Sequence, residues 1–259
     1  MADAVRNDAP FPRLAGRLPC GRLGTAFHAF RVIGSTQDEL RRLAESGARE
    51  GTVVVSDHQT RGRGRMQRSW LDEPGSNLLF SLLFRPEIPP ARVPQLSLLA
   101  AVACAEALGA VTGLAIRIRW PNDLMANGRK VAGILAEAAT AGDRVAYVLL
   151  GIGINVNQKE FPADLAARAT SLTLELDRPL DRETLLEALL GSLERWYARY
   201  LTDGFAPVRA AWREASASLG QRVEDGAVGG TVEDLDLDGG LLVRTVGGDL
   251  VRLVAGEFR

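Results

Sequence analysis

The order of apolar and polar positions marks the elements of this chain. FHAFRVI (27–33) has the β-rich texture of a strand, and GSTQDELRRLAESG (34–47) then switches to helical spacing. Leu40, Leu43 and Ala44 form its apolar stripe, Thr36 and Glu39 have capping-box spacing, and Gly47 can stop the helix. GTVVVSDHQ (51–59) is a β-branched strand, and SNLLFSLLF (76–84) is apolar throughout, as expected of a strand buried on both faces. Residues 93–110 fit a buried helix, and LAIRIRW (114–120) alternates until Pro121 stops it. VAGILAEAA and RVAYVLLGIGINVN are apolar strands around the short turn TAGD, hence a hairpin. Helices are expected at about 181–202 and 205–216. After Gly220, short β runs alternate with the turns DGAVGG, DLDGG and VGGD, the texture of a small β-barrel.

Hairpins mixed with helices, without a repeating βαβ cycle, predict an α+β fold: a mixed or antiparallel sheet with helices packed on one face. The expected organisation is an irregular, loose lead-in over residues 1–24, a main domain over 25–217 and the small barrel over 218–259. With 259 residues, 46% hydrophobic and 24% charged, the chain can bury one sizeable core. A net charge of -1 excludes a general electrostatic affinity for nucleic acid or membrane. No apolar run is expected to approach the length of a membrane span, and the N-terminus has no signal-like apolar stretch. A cytoplasmic protein is therefore expected. Cys20 and Cys104 form no metal or disulfide pattern, and His28 and His58 are too few for a metal cage, so no resident metal is expected.

Against that neutral background, TRGRGRMQRSW (60–70) stands out as a local cationic device. It is not a P-loop, which needs Gly-Lys-Ser/Thr, and neither GRGRMQ nor GIGINV supplies the third glycine of a dinucleotide fingerprint. Glycines flanking Arg63 let the backbone approach a ligand while guanidiniums face its anionic groups; a solvated turn would have the same composition. All but two of the 31 basic residues are arginine, and one exception, Lys130, follows the Pro-Asn-Asp turn of RWPNDL (119–124). That exception suits a requirement for a compact point charge, although a lysine can also simply mark a strand end.

Five segments, taken in order over about residues 25–259, resemble the biotin–protein ligases, which share a catalytic fold with lipoyl ligases and class II aminoacyl-tRNA synthetases. GSTQDEL resembles the family's biotin-contacting Ser-Thr-Asn segment, and HQTRGRGRMQRSW its Gly-Arg-Gly-Arg-x-Gly-Arg-x-Trp loop. RWPNDL resembles Lys-Trp-Pro-Asn-Asp, GRKVAGILAE the Arg-Lys-Leu-Gly/Ala-Gly-Ile-Leu segment, and GIGINVN also fits. The terminal barrel resembles the family's SH3-like domain. Three positions depart from the pattern: Gln37 stands for asparagine, Gln67 for the loop's third glycine and Arg119 for lysine.

The resemblance implies an enzyme that joins biotin to ATP as biotinyl-5'-AMP and passes the biotinyl group to a lysine of a biotin carboxyl carrier protein. ATP and biotin are then substrates, with Mg2+ accompanying the nucleotide. It assigns catalysis to Lys130, Arg65 and Asp123. Biotin contacts fall to Ser35, Thr36, Gln37, Gln59, Arg63, Gly64, Arg65 and Lys130. ATP or adenylate contacts fall to Arg63, Arg65, Arg68, Trp70, Asn122 and Asn155. The alternatives are a lipoyl–protein ligase and a biotin- or adenylate-binding module without turnover. Only about 24 residues precede the first strand, too few for a winged helix, so no DNA partner is expected. No membrane partner is expected either, and the oligomeric state is open, a homodimer included.

Overall fold

A computed structural model describes residues 10–14, 21–225 and 228–254. Its centre is a seven-stranded mixed sheet of order β1-β2-β3-β7-β6-β5-β4. Strands β1 (Ala26–Ile33) and β2 (Thr52–Gln59) are parallel because α1 (Thr36–Glu45) carries the chain back between them. All other neighbours are antiparallel: β3 (Leu78–Phe84), β4 (Arg117–Arg119), β5 (Asp123–Ala126), β6 (Arg129–Ala141) and β7 (Arg144–Ile154). Every residue of β3 is buried, as its unbroken apolar run predicts.

The long helices cover one face. There α2 (Val93–Thr112), α5 (Arg182–Asp203) and α6 (Ala206–Ala215) bury Leu96, Leu99, Leu189, Tyr197 and Trp212 against Val53, Val55, Phe80, Leu82 and Leu150. The opposite face is covered in part by α1, whose Leu40 and Ala44 pack on Val54, Leu83 and Leu149. Two short helices, α3 (Ala163–Ala166) and α4 (Leu172–Leu176), lie in the connection after β7 and are too brief for periodicity to reveal.

Two details correct the sequence expectations. Pro90–Thr112 is long and apolar enough to cross a membrane by length and composition, with a hydropathy of 1.6 over its most apolar window. It serves here as the core helix: 67% of that window is buried within the fold, which is why the segment is apolar around most of its circumference. Its Cys104 is enclosed, and burial pushes that thiol up to about 12; Cys20 lies outside the described residues. At α1 there is no Thr36–Glu39 capping box. Ser35 is the N-cap residue, and the Thr36 hydroxyl turns to Gln59 Oε1 (3.0 Å) and Ser81 Oγ (2.8 Å).

The glycine-punctuated C-terminal region forms a four-stranded antiparallel sheet, consistent with an SH3-like unit. Its strands are β8 (Arg222–Asp225), β9 (Val228–Leu235), β10 (Leu241–Thr245) and β11 (Leu250–Leu253). It docks on the main sheet: Gln95 Nε2 donates to Leu237 O (2.7 Å) and Trp120 Nε1 to Gly239 O (3.2 Å). Val223, Leu235, Leu241 and Leu253 join the same core cluster as α2. Of the lead-in expected to be loose, residues 1–9 and 15–20 lie outside the described residues, while Phe11 and Leu14 are buried and the Arg182 guanidinium sits 5.1 Å from the Phe11 ring.

Candidate active site

A narrow cavity of about 40 Å³, partly open to solvent, lies where α1 begins and β2, β6 and β7 approach one another. Its floor follows from the pleat. Residues two apart on a strand share a face, so the glycines of GIGIN, Gly151 and Gly153, leave the C-terminal end of one face of β7 without side chains. Gly133 on β6 pairs directly with Gly153, which extends that bare strip across two strands. The Trp70 indole lies on it: a Cβ added at Gly153 would stand 2.7 Å from Trp70 Cε2, and one at Gly133 3.0 Å from Cζ3.

One end of the cavity is neutral and polar. Ser35, Thr36 and Gln37 come from the start of α1 and Gln59 from the end of β2, because parallel β1 and β2 bring those segments together. Gln59 Oε1 accepts from the Thr36 amide at 2.7 Å. All three α1 residues are buried. Two buried side-chain atoms of the lining have no hydrogen-bond partner among the described residues: Gln37 Oε1, an acceptor, and Trp70 Nε1, a donor. Unmet hydrogen-bonding demand of this kind is costly in a core and suits a wall that receives a polar ligand.

The other end is cationic. Lys130 is the second residue of β6, its amide held by Arg168 O at 2.8 Å. Its ammonium meets Asp123 Oδ1 at 2.6 Å, lies 5.6 Å from the Trp70 ring centroid and stands 3.2 Å from a Cβ built at Gly133. Asp123 starts β5 directly after the Pro-Asn-Asp turn, and its other oxygen takes Arg119 at 3.0 Å. The carboxylate thus lies between two cations, Lys130 and Arg119, and fixes the ammonium in place. Asn122 clamps the turn to β6, donating from Nδ2 to Ile134 O at 2.6 Å, while Arg65 Nη1 reaches its Oδ1 at 3.5 Å.

In the arginine loop, Arg63 forks onto Asp38 of α1 at 2.7 and 3.0 Å and lies 3.8 Å from Glu137. This fork holds the Asp38 carboxyl below the usual carboxylate range. Gly64 joins the cavity wall, and the loop closes on itself through Gly64 N to Arg68 O (2.7 Å) and Trp70 N to Gly62 O (3.0 Å). The left-handed residue is Met66, with φ of 54°. The glycine at 62 is sterically required, because a Cβ there would stand 2.9 Å from Trp70 O.

The fold therefore gathers Ser35, Thr36, Gln37, Gln59, Arg63, Gly64, Trp70 and Asn122 around one cavity, with Lys130 and Asp123 at its edge. Arg65 faces an adjoining cavity of about 200 Å³ that shares Asn122, Ile134 and Leu135 with the first and is bounded by Gly239, Gly240 and Arg252 of the C-terminal unit. Arg68 is exposed and lines neither cavity. Asn155 is buried behind β6 and does not line the cavity; its Nδ2 donates to Thr170 O at 3.0 Å and its amide to Val131 O at 2.9 Å. Residues not singled out from the sequence also build the site. Gly133, Gly151 and Gly153 were legible in principle as glycines on one strand face, whereas nothing local marked Asp38 and Glu137 as partners of Arg63.

Comparison with known proteins agrees with this geometry. The model of the Biotin/lipoate A/B protein ligase family matches residues 29–155. The chain is 42% identical over 220 residues to the bifunctional ligase/repressor BirA of Bacillus spizizenii, covering 83% of this chain and 68% of that protein. It is 37% identical over 233 residues to the biotin–[acetyl-CoA-carboxylase] ligase of Paracoccus denitrificans, covering 86% of this chain and 96% of that one. The biotin protein ligase of Aquifex aeolicus, solved in complex with biotin and ATP, superposes with a TM-score of 0.77 at 31% identity, over 91% of this chain and 98% of that chain. The matched sequence, the shared fold and the cavity at its centre show that the chain belongs to the Biotin/lipoate A/B protein ligase family, where it falls among the biotin–protein ligases.

Proposed function

We propose that this ligase activates biotin with ATP to biotinyl-5'-AMP and transfers the biotinyl group to a lysine of a biotin carboxyl carrier protein in the cytoplasm. The observation that carries the reading is the polarity of the cavity, neutral hydrogen-bonding groups at one end and the Lys130 ammonium at the other. A ligand with a neutral cyclic urea and a carboxylate at the far end of an aliphatic chain matches that order.

In the first step a biotin carboxylate oxygen attacks the α-phosphorus of ATP and pyrophosphate leaves. Two anions must approach, so positioning and charge neutralisation dominate the barrier. Lys130, already oriented by Asp123, supplies a compact positive charge at that junction. Arg63, forked onto Asp38 beside Gln37, anchors the loop at the opposite, neutral end of the cavity. In the second step the carrier's amine attacks the acyl carbon of the mixed anhydride, the amine proton is lost and AMP departs. Trp70 lies over the bare glycine strip where it can shield the anhydride from water. Asp123 is the carboxylate at hand for steering that amine, which requires it to loosen its hold on Lys130.

Mg2+ is read as part of the MgATP substrate. Mg2+ bound in this way is held mainly by phosphate oxygens and waters. Pyrophosphate release with the purified protein tests the reading. Release that requires biotin, ATP and Mg2+ together, and is not supported by lipoate, is expected. Binding of biotin without release would leave a binding module, and release with lipoate alone would leave a lipoyl ligase.

A further inference from the structure

The Gln37 carboxamide is fixed in one orientation by its surroundings. Its Nε2 faces three acceptors, Leu135 O (3.3 Å), Glu137 Oε2 (3.3 Å) and Leu149 O (3.5 Å). Turning the amide over would set its oxygen against three other oxygens, so the nitrogen stays on that side and Oε1 is left as a buried acceptor at the cavity wall. Leu135 O and Leu149 O belong to paired backbone strands, whereas Glu137 is a side chain with connections of its own. The same Glu137 oxygen takes Arg41 of α1 at 2.8 Å and lies 3.8 Å from Arg63 of the arginine loop. One carboxylate therefore joins the ligand-facing amide, helix α1 and the loop.

We propose that Glu137 is a positioning residue for ring recognition. It holds the Gln37 carboxamide with its oxygen free to accept from an N–H of the bound ring, and so favours a cyclic urea over a ring without N–H donors such as a dithiolane. The inference rests on the biotin-ligase reading and names the part of the protein that reads the ring. Glu137 touches neither the reacting carboxylate nor the phosphates in this scheme, so its loss acts on recognition of the ring and leaves the chemistry largely intact.

The test is calorimetric titration of the full chain with biotin and with biotin methylated on its ring nitrogens, for wild type, Glu137→Ala and Glu137→Gln, each with a thermal melt as a folding control. For wild type, biotin should bind at least tenfold more tightly than the methylated ring, the order expected for one buried hydrogen bond. Glu137→Ala should shrink that ratio toward one and raise the KM for biotin about tenfold, with kcat changed less than threefold. Glu137→Gln, oriented by Arg41, still offers an oxygen to Gln37 Nε2 and should restore most of the discrimination. A folded Glu137→Ala variant with the wild-type ratio would overturn the proposal while leaving the ligase reading intact. Should Glu137→Ala not fold, Gln37→Leu carries the test: an unchanged ratio there refutes ring recognition through this amide. Wild-type protein that binds no biotin at all would instead overturn the functional reading.

Discussion

Replacing Lys130 by arginine keeps the charge and changes only its shape, and it should cripple adenylation. The ammonium occupies a confined position: Asp123 Oδ1 at 2.6 Å on one side, the Trp70 ring at 5.6 Å on another and the bare strip at Gly133 below. A guanidinium is planar and forked, so it cannot keep the short contact to Asp123 and still fit beneath the indole without moving one of them. The relevant displacement is about 1 Å, and in a positioning-dominated step an error of that size costs on the order of 100-fold in rate, or about 2.7 kcal/mol in the barrier. Transfer from supplied biotinyl-adenylate should lose much less, because that step no longer brings two anions together. The assay is pyrophosphate release by Lys130→Arg set beside its single-turnover transfer from pre-formed adenylate. Adenylation within threefold of wild type would refute the reasoning and leave Lys130 as a strand-end lysine whose shape is immaterial.

Other parts of the site make further predictions. Gly153→Ala places a Cβ 2.7 Å from Trp70 Cε2 and should lift the indole from the strip, raising the KM for ATP about tenfold and shifting Trp fluorescence; an unchanged KM would show that the indole is not part of the nucleotide wall. The Asp38 carboxyl is held below its ordinary value of 3.8 by Arg63, so the contribution of that pair is fully present above 3.8 and is lost as pH falls through the lower folded value. Limited proteolysis of the Arg61–Arg68 loop should accordingly be flat from pH 7 down to about 4, whereas Asp38→Asn should raise cleavage about threefold at neutral pH without ligand. Bound biotinyl-adenylate should protect that loop, and equal cleavage with and without it would contradict an ordering loop. Trp120→Phe removes the hydrogen bond to Gly239 O that ties the second sheet to the first, and should lower stability by about 1 kcal/mol in denaturant titration.

The strands and long helices were legible because their periodicities are local: an unbroken apolar run for β3, Pro121 ending β4, glycine turns for the second sheet. The resemblance also pointed to the residues that the fold brings together, because each lies in a compact segment at an element's end. What escaped depends on contacts between segments. The Thr36–Glu39 spacing suggested a capping box, yet Ser35 starts the helix because the Thr36 hydroxyl is drawn to Gln59, 23 residues away, and to Ser81. The length of α2 could be read, but its apolar composition alone could not separate a core helix from a membrane segment, a choice made by α5, α6 and the sheet that enclose it. Glu137 looks like a surface residue on a strand until the register of β6 and β7 brings it to Gln37 and α1 brings Arg41 to it. Local patterns cannot express such long-range pairings.

The measurement that bears most directly on the central claim is mass spectrometry of a biotin carboxyl carrier domain after incubation with this protein, ATP, Mg2+ and either biotin or lipoate. One biotinyl adduct on a single carrier lysine, absent without ATP and absent with lipoate, is the predicted result. An unmodified carrier alongside protein that still binds biotin, or an adduct formed only from lipoate, would contradict it.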